Sequence, residues 1–148
     1  MYTKILVPTD GSTLSAKAIK TAVGMAKATG AKVIGLYVAP EHVSRIYGGA
    51  GGVAAHETES HYKQRIAADA ESVLASVLKE AAAAGVESDS TYAASNSPYE
   101  EILKAAVKRK CDLIVMASHG RRGLAHLLLG SETQKVLTHS KIPVLVVR

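Results

Sequence analysis

No phenylalanine and no tryptophan occur among the 148 residues, which leaves six tyrosines as the large aromatic side chains. The hydrophobic share of 47% is nevertheless ordinary for a globular chain, so the core must be built from Ala, Val, Ile and Leu. Small aliphatic residues of that kind suit helices lying closely on a sheet. A single cysteine excludes an internal disulfide. The first twelve residues, MYTKILVPTDGS, lack the long apolar segment of a secretion signal, so a reducing cytoplasm is the expected compartment. No apolar run approaches the roughly 20 residues of a membrane span. The net charge of +5 comes from basic and acidic residues interleaved along most of the chain, which does not indicate nucleic acid as a partner. The GxGxxG fingerprint, the GxxxxGK[ST] loop and the GxSxG elbow are all absent, which removes dehydrogenase, P-loop NTPase and hydrolase readings. His42, His56 and His61 have neither metal-site spacing nor a cysteine pair beside them, so no metal site is expected. Cys111 is expected to be inert.

What is present has the length of one domain over residues 1–148, enough to bury about 70% of the unfolded surface without disulfides or a structural metal. Lys4–Pro8 is a short apolar run ending in Thr9-Asp10-Gly11-Ser12, which predicts a buried strand, a tight turn and a helix N-cap. From Leu14 the residues Ala18, Ala22 and Met25 recur at helical spacing until Gly30 stops the helix. Val33–Val38 predicts a second strand. Pro40–Thr58 lacks periodicity and contains Gly48-Gly49-Ala50-Gly51-Gly52, so it is expected as a loop, either a plain crossover or a lid over a site.

The positions Ile66, Ala70, Val73, Leu74, Val77, Leu78 and Ala81 then mark one face of a helix of roughly 25 residues that ends at Gly85. Val86–Ala94 predicts a third strand. Ser97-Pro98-Tyr99-Glu100 combines an N-cap, a proline at the first helical position and a capping-box glutamate. In that third helix Glu100 and Glu101 stand at the positive end and Lys108-Arg109-Lys110 at the negative end, an arrangement the helix dipole explains. Leu113–Met116 predicts a fourth strand, a short helix carries Val136 and Leu137, and Pro143–Val147 predicts a fifth strand. The alternation βαβαβαβαβ implies an α/β fold with an open parallel sheet and right-handed crossovers. Such sheets bind ligands at the carboxyl ends of their strands, so the loops after Val7, Val38 and Met116 are where function is expected.

One of those loops stands out. Ala117-Ser118-His119-Gly120 is followed, after nine residues, by Gly130-Ser131. Glycine lets backbone amides approach an anion, and the N–H groups and dipole of a helix opening at Ser131 favour negative charge. Arg121 and Arg122 add positive potential, and His119 either donates to a phosphate or is simply solvated. Ser131 and Gln134 also fit an S-x-x-Q capping box that requires no ligand. Asp10 has two readings as well, a turn-forming aspartate before Gly11 or a ligand contact after the first strand.

These motifs resemble the universal stress protein family, whose mark is a glycine, two residues, a second glycine, nine residues, then glycine with serine or threonine. Gly120, Gly130 and Ser131 match it, and the likeness extends from Ile5–Ser12 to Pro143–Arg148. The resemblance implies a strand order of 3-2-1-4-5 with helices on both faces, homodimers joined through the last strand (Pro143 to Val147), and in some members ATP or AMP at the loop, with magnesium. Carried over to this chain, Asp10 would hydrogen-bond adenine or ribose, and Pro8 and Val38 would line the base pocket. Gly120, Gly130 and Ser131 would hold phosphates, and Ala117 would stand beside the base or ribose.

The chain departs from the nucleotide-binding pattern at Ala117, where the pattern has glycine and a methyl group could crowd the ligand. Glu132, a carboxylate in the first turn of the last helix, would compete with a phosphate for the same positive end. Two readings therefore stand side by side: a sensor or carrier of adenine nucleotide, and a nucleotide-independent regulatory dimer acting through protein partners. Slow ATP hydrolysis is the most that catalysis could amount to, because no metal-binding carboxylate and general base can be assigned.

Overall fold

The computed structural model describes residues 1–41, 57–120 and 129–148. Nine elements alternate along them: β1 (Lys4–Pro8), α1 (Thr13–Thr29), β2 (Lys32–Ala39), α2 (Glu59–Ala84), β3 (Ser88–Ala94), α3 (Pro98–Lys108), β4 (Leu113–Ala117), α4 (Ser131–His139) and β5 (Val144–Val147). The strands form one parallel sheet in the order β3-β2-β1-β4-β5. The α/β class and the strand order are those the family resemblance implies.

The two faces of the sheet follow from strand alternation. On one face Ile5, Val7, Val33, Leu113 and Val115 pack with the alanines and aliphatics of α1 and α2, such as Ala18, Ala22, Val77 and Ala81. On the other, Leu6, Ile34, Leu36, Ile114 and Met116 pack with Ile102 and Ala106 of α3 and Val136 of α4. Both helix layers thus rest on β1 and β4, the central strands, which are buried on both sides as parallel strands are. Among the described residues, the buried members of these two layers include no aromatic side chain, although Tyr2 and Tyr99 pack against their margins.

Two helix starts depart from the expected caps. Ser12 caps α1 as expected, its hydroxyl accepting from the Ser15 N–H at 3.1 Å. Ser97 precedes α3 but makes no side-chain cap bond, so the capping box with Glu100 does not form. α4 begins with Gly130 as N-cap and Ser131 as its first helical residue, so the Ser131–Gln134 box is likewise absent. At the far end of α3, Arg109 turns to Asp89 on β3 and makes an ion pair with it, and Lys110 adopts φ 55°. The basic run therefore serves a tertiary contact beside any dipole effect. The third strand starts at Ser88 rather than Val86. The expected loop Pro40–Thr58, with its glycine run and with His42 and His56, lies mostly outside the described residues. Its described last residue, Thr58, caps α2 by accepting from the His61 N–H.

Candidate functional site at the strand carboxyl ends

The strand order reverses between β1 and β4: the chain leaves β1 for β2 on one side, and β4 lies on the other. Crevices at such a reversal are where open α/β sheets take ligands. Two loops meet there.

The first loop follows β1. Thr9 is buried, its N–H donating to the Leu36 carbonyl at 2.9 Å, and its hydroxyl donates to Ser15 Oγ at 3.0 Å. Asp10 Oδ1 accepts from the Ser12 N–H at 2.9 Å, the local bond of an Asx turn. Gly11 completes that turn with φ 76°, a conformation that favours glycine. One carboxylate oxygen of Asp10 is thus fixed by its own turn, which sets the direction of the other.

The second loop follows β4. A β-carbon built on Gly120 would fall 2.5 Å from Asp10 Oδ2, and one on Gly130 would fall 3.2 Å from His119 Cα and Cβ. Neither glycine has a positive φ, so what each position requires is space for a close backbone approach. The Gly130 N–H donates to the Ser118 carbonyl at 2.7 Å, which closes the loop at its base. Ser118, which the sequence marks only as part of the Ala117–Gly120 stretch, and Thr133, which no motif marks, are buried polar residues. The Ser118 N–H donates to the Val147 carbonyl at 2.8 Å, and Thr133 Oγ1 donates to the Ala117 carbonyl at 3.1 Å. Together they tie the end of β4 to β5 and to α4. Single polar residues of this kind give no periodic signal, and only the start of a helix near a strand end could have flagged them.

Asp10 and Gly120 are therefore brought together, and Gly130 and Ser131 stand at the opening of α4, next to His119. Ser131 is exposed. His119 lies with Nδ1 at 3.2 Å from Ser118 Oγ. Pro8 and Val38 are half-buried. Val38 packs with the α3 and α4 layer, and alternation puts Pro8, two residues beyond Leu6, on that same face. Ala117 is the last residue of β4 and is buried, in ordinary strand geometry that asks for no glycine. Arg121 lies outside the described residues.

Glu132 lies in the first turn of α4, but its carboxylate is engaged by the neighbouring helix and by Lys135. Its Oε2 accepts from the Tyr99 N–H in the first turn of α3 at 2.9 Å, and its Oε1 accepts from Lys135 Nζ at 2.8 Å. Glu132 thus supplies the cap that Ser97 does not. The Tyr99 ring lies 5.3 Å from Lys135 Nζ and 5.4 Å, centroid to centroid, from the His139 ring, which extends the α3–α4 contact. A hydrogen bond to the Glu100 carboxylate is the main cause that raises the Tyr99 phenol above its ordinary value. Cys111 is buried, and that burial pushes its thiol up to about 11.

Among the described residues, no group of three His, Cys, Asp or Glu side chains is gathered to hold a metal ion, and no helix is long and apolar enough to cross a membrane.

Comparison with known proteins places this geometry. The chain is 36% identical over 148 residues to the universal stress protein MJ0531 of Methanocaldococcus jannaschii, covering all of this chain and 83% of that one. The solved structure of MJ0577 from the same organism superposes with a TM-score of 0.82 at 33% identity, covering 99% of this chain and 96% of that one. A universal stress protein solved in complex with cAMP superposes with a TM-score of 0.68 at 27% identity, covering 99% and 97% of the two chains. The model of the universal stress protein family matches residues 1–148. With that match over the whole chain, and a relative 36% identical, the protein belongs to the universal stress protein family.

Proposed function

We propose that this chain is a stress-response sensor or regulator, a single universal stress protein domain that holds an adenine nucleotide, ATP or AMP, at the carboxyl ends of β1 and β4. The observation that carries the reading is the approach of Gly120 to the Asp10 carboxylate at the strand-order reversal. A side chain at position 120 would displace that carboxylate, so the two loops are shaped around each other. A related structure holding cAMP supports the class of ligand.

In this reading Asp10 receives a hydroxyl or amino hydrogen of the ribose or adenine, and Pro8 and Val38 border the base. The phosphates lie along Gly120 and Gly130 toward the opening of α4, where backbone amides and the helix dipole favour an anion. Ser131 and His119 stand within that loop as donors, and Arg121 adds charge next in sequence to Gly120. Ala117 stands beside the base or ribose. Magnesium arrives on the phosphates of ATP as their counter-charge.

The second element of the reading is a homodimer through β5. Among the described residues that strand pairs with β4 and stands at one end of the strand order, and its four residues are Val144, Leu145, Val146 and Val147, without a charge among them. An uncharged apolar edge is a template for pairing with another strand. The compartment consistent with a lone buried thiol is the reducing cytoplasm.

Denaturing freshly purified protein and chromatographing the supernatant tests the nucleotide reading. Adenine nucleotide is expected from the wild-type chain and is expected to be lost from a folded Asp10→Ala variant. Equal nucleotide from both would overturn the assigned pocket.

A further inference from the structure

We infer that Glu132 is a positioning residue, which sets the phosphate-binding edge of the site by clamping the first turn of α4 to the first turn of α3. The inference rests on the nucleotide reading given above and adds to it how the opening of α4 is held in place.

Three observations carry it. Glu132 lies two residues from Gly130 and one from Ser131, yet its carboxylate accepts from the first turn of the neighbouring helix, from the Tyr99 N–H at 2.9 Å. Lys135, one turn further along, holds the other carboxylate oxygen at 2.8 Å and also lies 5.3 Å from the Tyr99 ring centroid. Ser97, the residue that would cap α3 locally, makes no side-chain cap bond, so α3 takes its cap from α4. The two helices share one acceptor, and the orientation of the α4 opening is fixed by a contact 33 residues away in sequence.

The consequence has a sign that separates it from simple charge repulsion. If the carboxylate acted only as a negative charge beside the phosphates, removing it would strengthen phosphate binding. If it positions α4, shortening or deleting it weakens phosphate binding, and an uncharged side chain of the same length restores it. Adenosine, which has no phosphate, should be indifferent to the clamp.

Calorimetric titration of AMP and of adenosine into the wild type and into Glu132→Ala, Glu132→Asp and Glu132→Gln tests this, with circular dichroism confirming each fold. The expected result is that Ala and Asp weaken AMP by about tenfold, within the range a helix-terminus interaction spans, while Gln stays close to wild type. Adenosine affinity is expected to be the same in all four proteins. Tighter AMP binding by Ala and Gln, or parallel losses for AMP and adenosine, would overturn the positioning role while leaving the site intact. A folded wild type that binds neither ligand would overturn the site reading, and this inference with it. Should Glu132→Ala fail to fold, the Asp and Gln pair still decides, because Asp keeps the charge and loses the reach whereas Gln does the reverse.

Discussion

The backbone of Gly120 lies so close to the carboxylate of Asp10 that a β-carbon at position 120 would stand 2.5 Å from Oδ2. Since Oδ1 is held by the Ser12 N–H, the carboxylate cannot retreat without opening its own turn. Gly120→Ala is therefore expected to leave the fold intact, because Gly120 is exposed at the loop, and to weaken adenine-nucleotide binding by about tenfold, the equivalent of ~1.4 kcal/mol. Calorimetry beside a thermal melt checks it; unchanged affinity would show that the two loops do not form one pocket.

Thr133 ties α4 to the end of β4 through the Ala117 carbonyl. Thr133→Val keeps the shape and removes the hydroxyl, at a cost of about 1 kcal/mol for a net hydrogen bond, which lowers Tm by roughly 2–4 °C in a chain of this size. Differential scanning calorimetry is the measurement, and an unchanged Tm would mean that the bond contributes nothing.

Asp112 accepts hydrogen bonds from the Thr3 N–H at 2.8 Å, the Thr3 hydroxyl at 2.7 Å and the Lys4 N–H at 2.9 Å, fastening the entrance of β1 to that of β4. Burial pushes its carboxyl up, but these hydrogen bonds outweigh burial and hold it below the ordinary value of 3.8. A carboxyl lowered by folding stabilises the protein above its unfolded value and loses that contribution as pH falls through the folded one. The stability difference between wild type and Asp112→Ala is thus expected to be constant from neutral pH down to about 5 and to shrink below about 4. Urea melts across that range test it, and a difference that persists undiminished in acid would contradict it.

Cys111 is buried with its thiol pushed up to about 11, so at pH 8 only about one thiol in a thousand is ionised. A colorimetric disulfide reagent should react slowly with native protein and promptly in denaturant. Prompt reaction in the native state would place the thiol elsewhere than in the α3 layer.

Leu145 is 36% exposed on the edge strand β5. Leu145→Lys places a charge on that edge, an arrangement that discourages strand pairing, and sedimentation is expected to show a dimer for the wild type and a monomer for the variant. Identical assembly states would remove β5 as the interface.

Much of this was legible in the sequence because the signals are local. The glycines at 30 and 85 end α1 and α2 as left-handed caps, and Ser12 begins α1. The spacing from Gly120 to Gly130 marked the loop that meets Asp10. What could not be read is what depends on partners distant in sequence. Ser97 and Ser131 carry the residue types of caps, yet α3 is capped from α4 by Glu132, and the N-cap of α4 is Gly130, one residue before Ser131. A local rule cannot see an acceptor that the fold delivers from 33 positions away. The Asp112 clamp, spanning 109 residues to Thr3, escaped for the same reason.

The most direct measurement is calorimetric titration of ATP and AMP, with magnesium, into wild-type protein freed of any co-purified nucleotide, repeated with Asp10→Ala. The expected result is saturable binding of adenine nucleotide to the wild type and its loss from a variant that remains folded. A wild type silent toward both nucleotides would contradict the adenine-nucleotide site and leave a dimer joined through β5 and acting through protein partners as the reading to pursue.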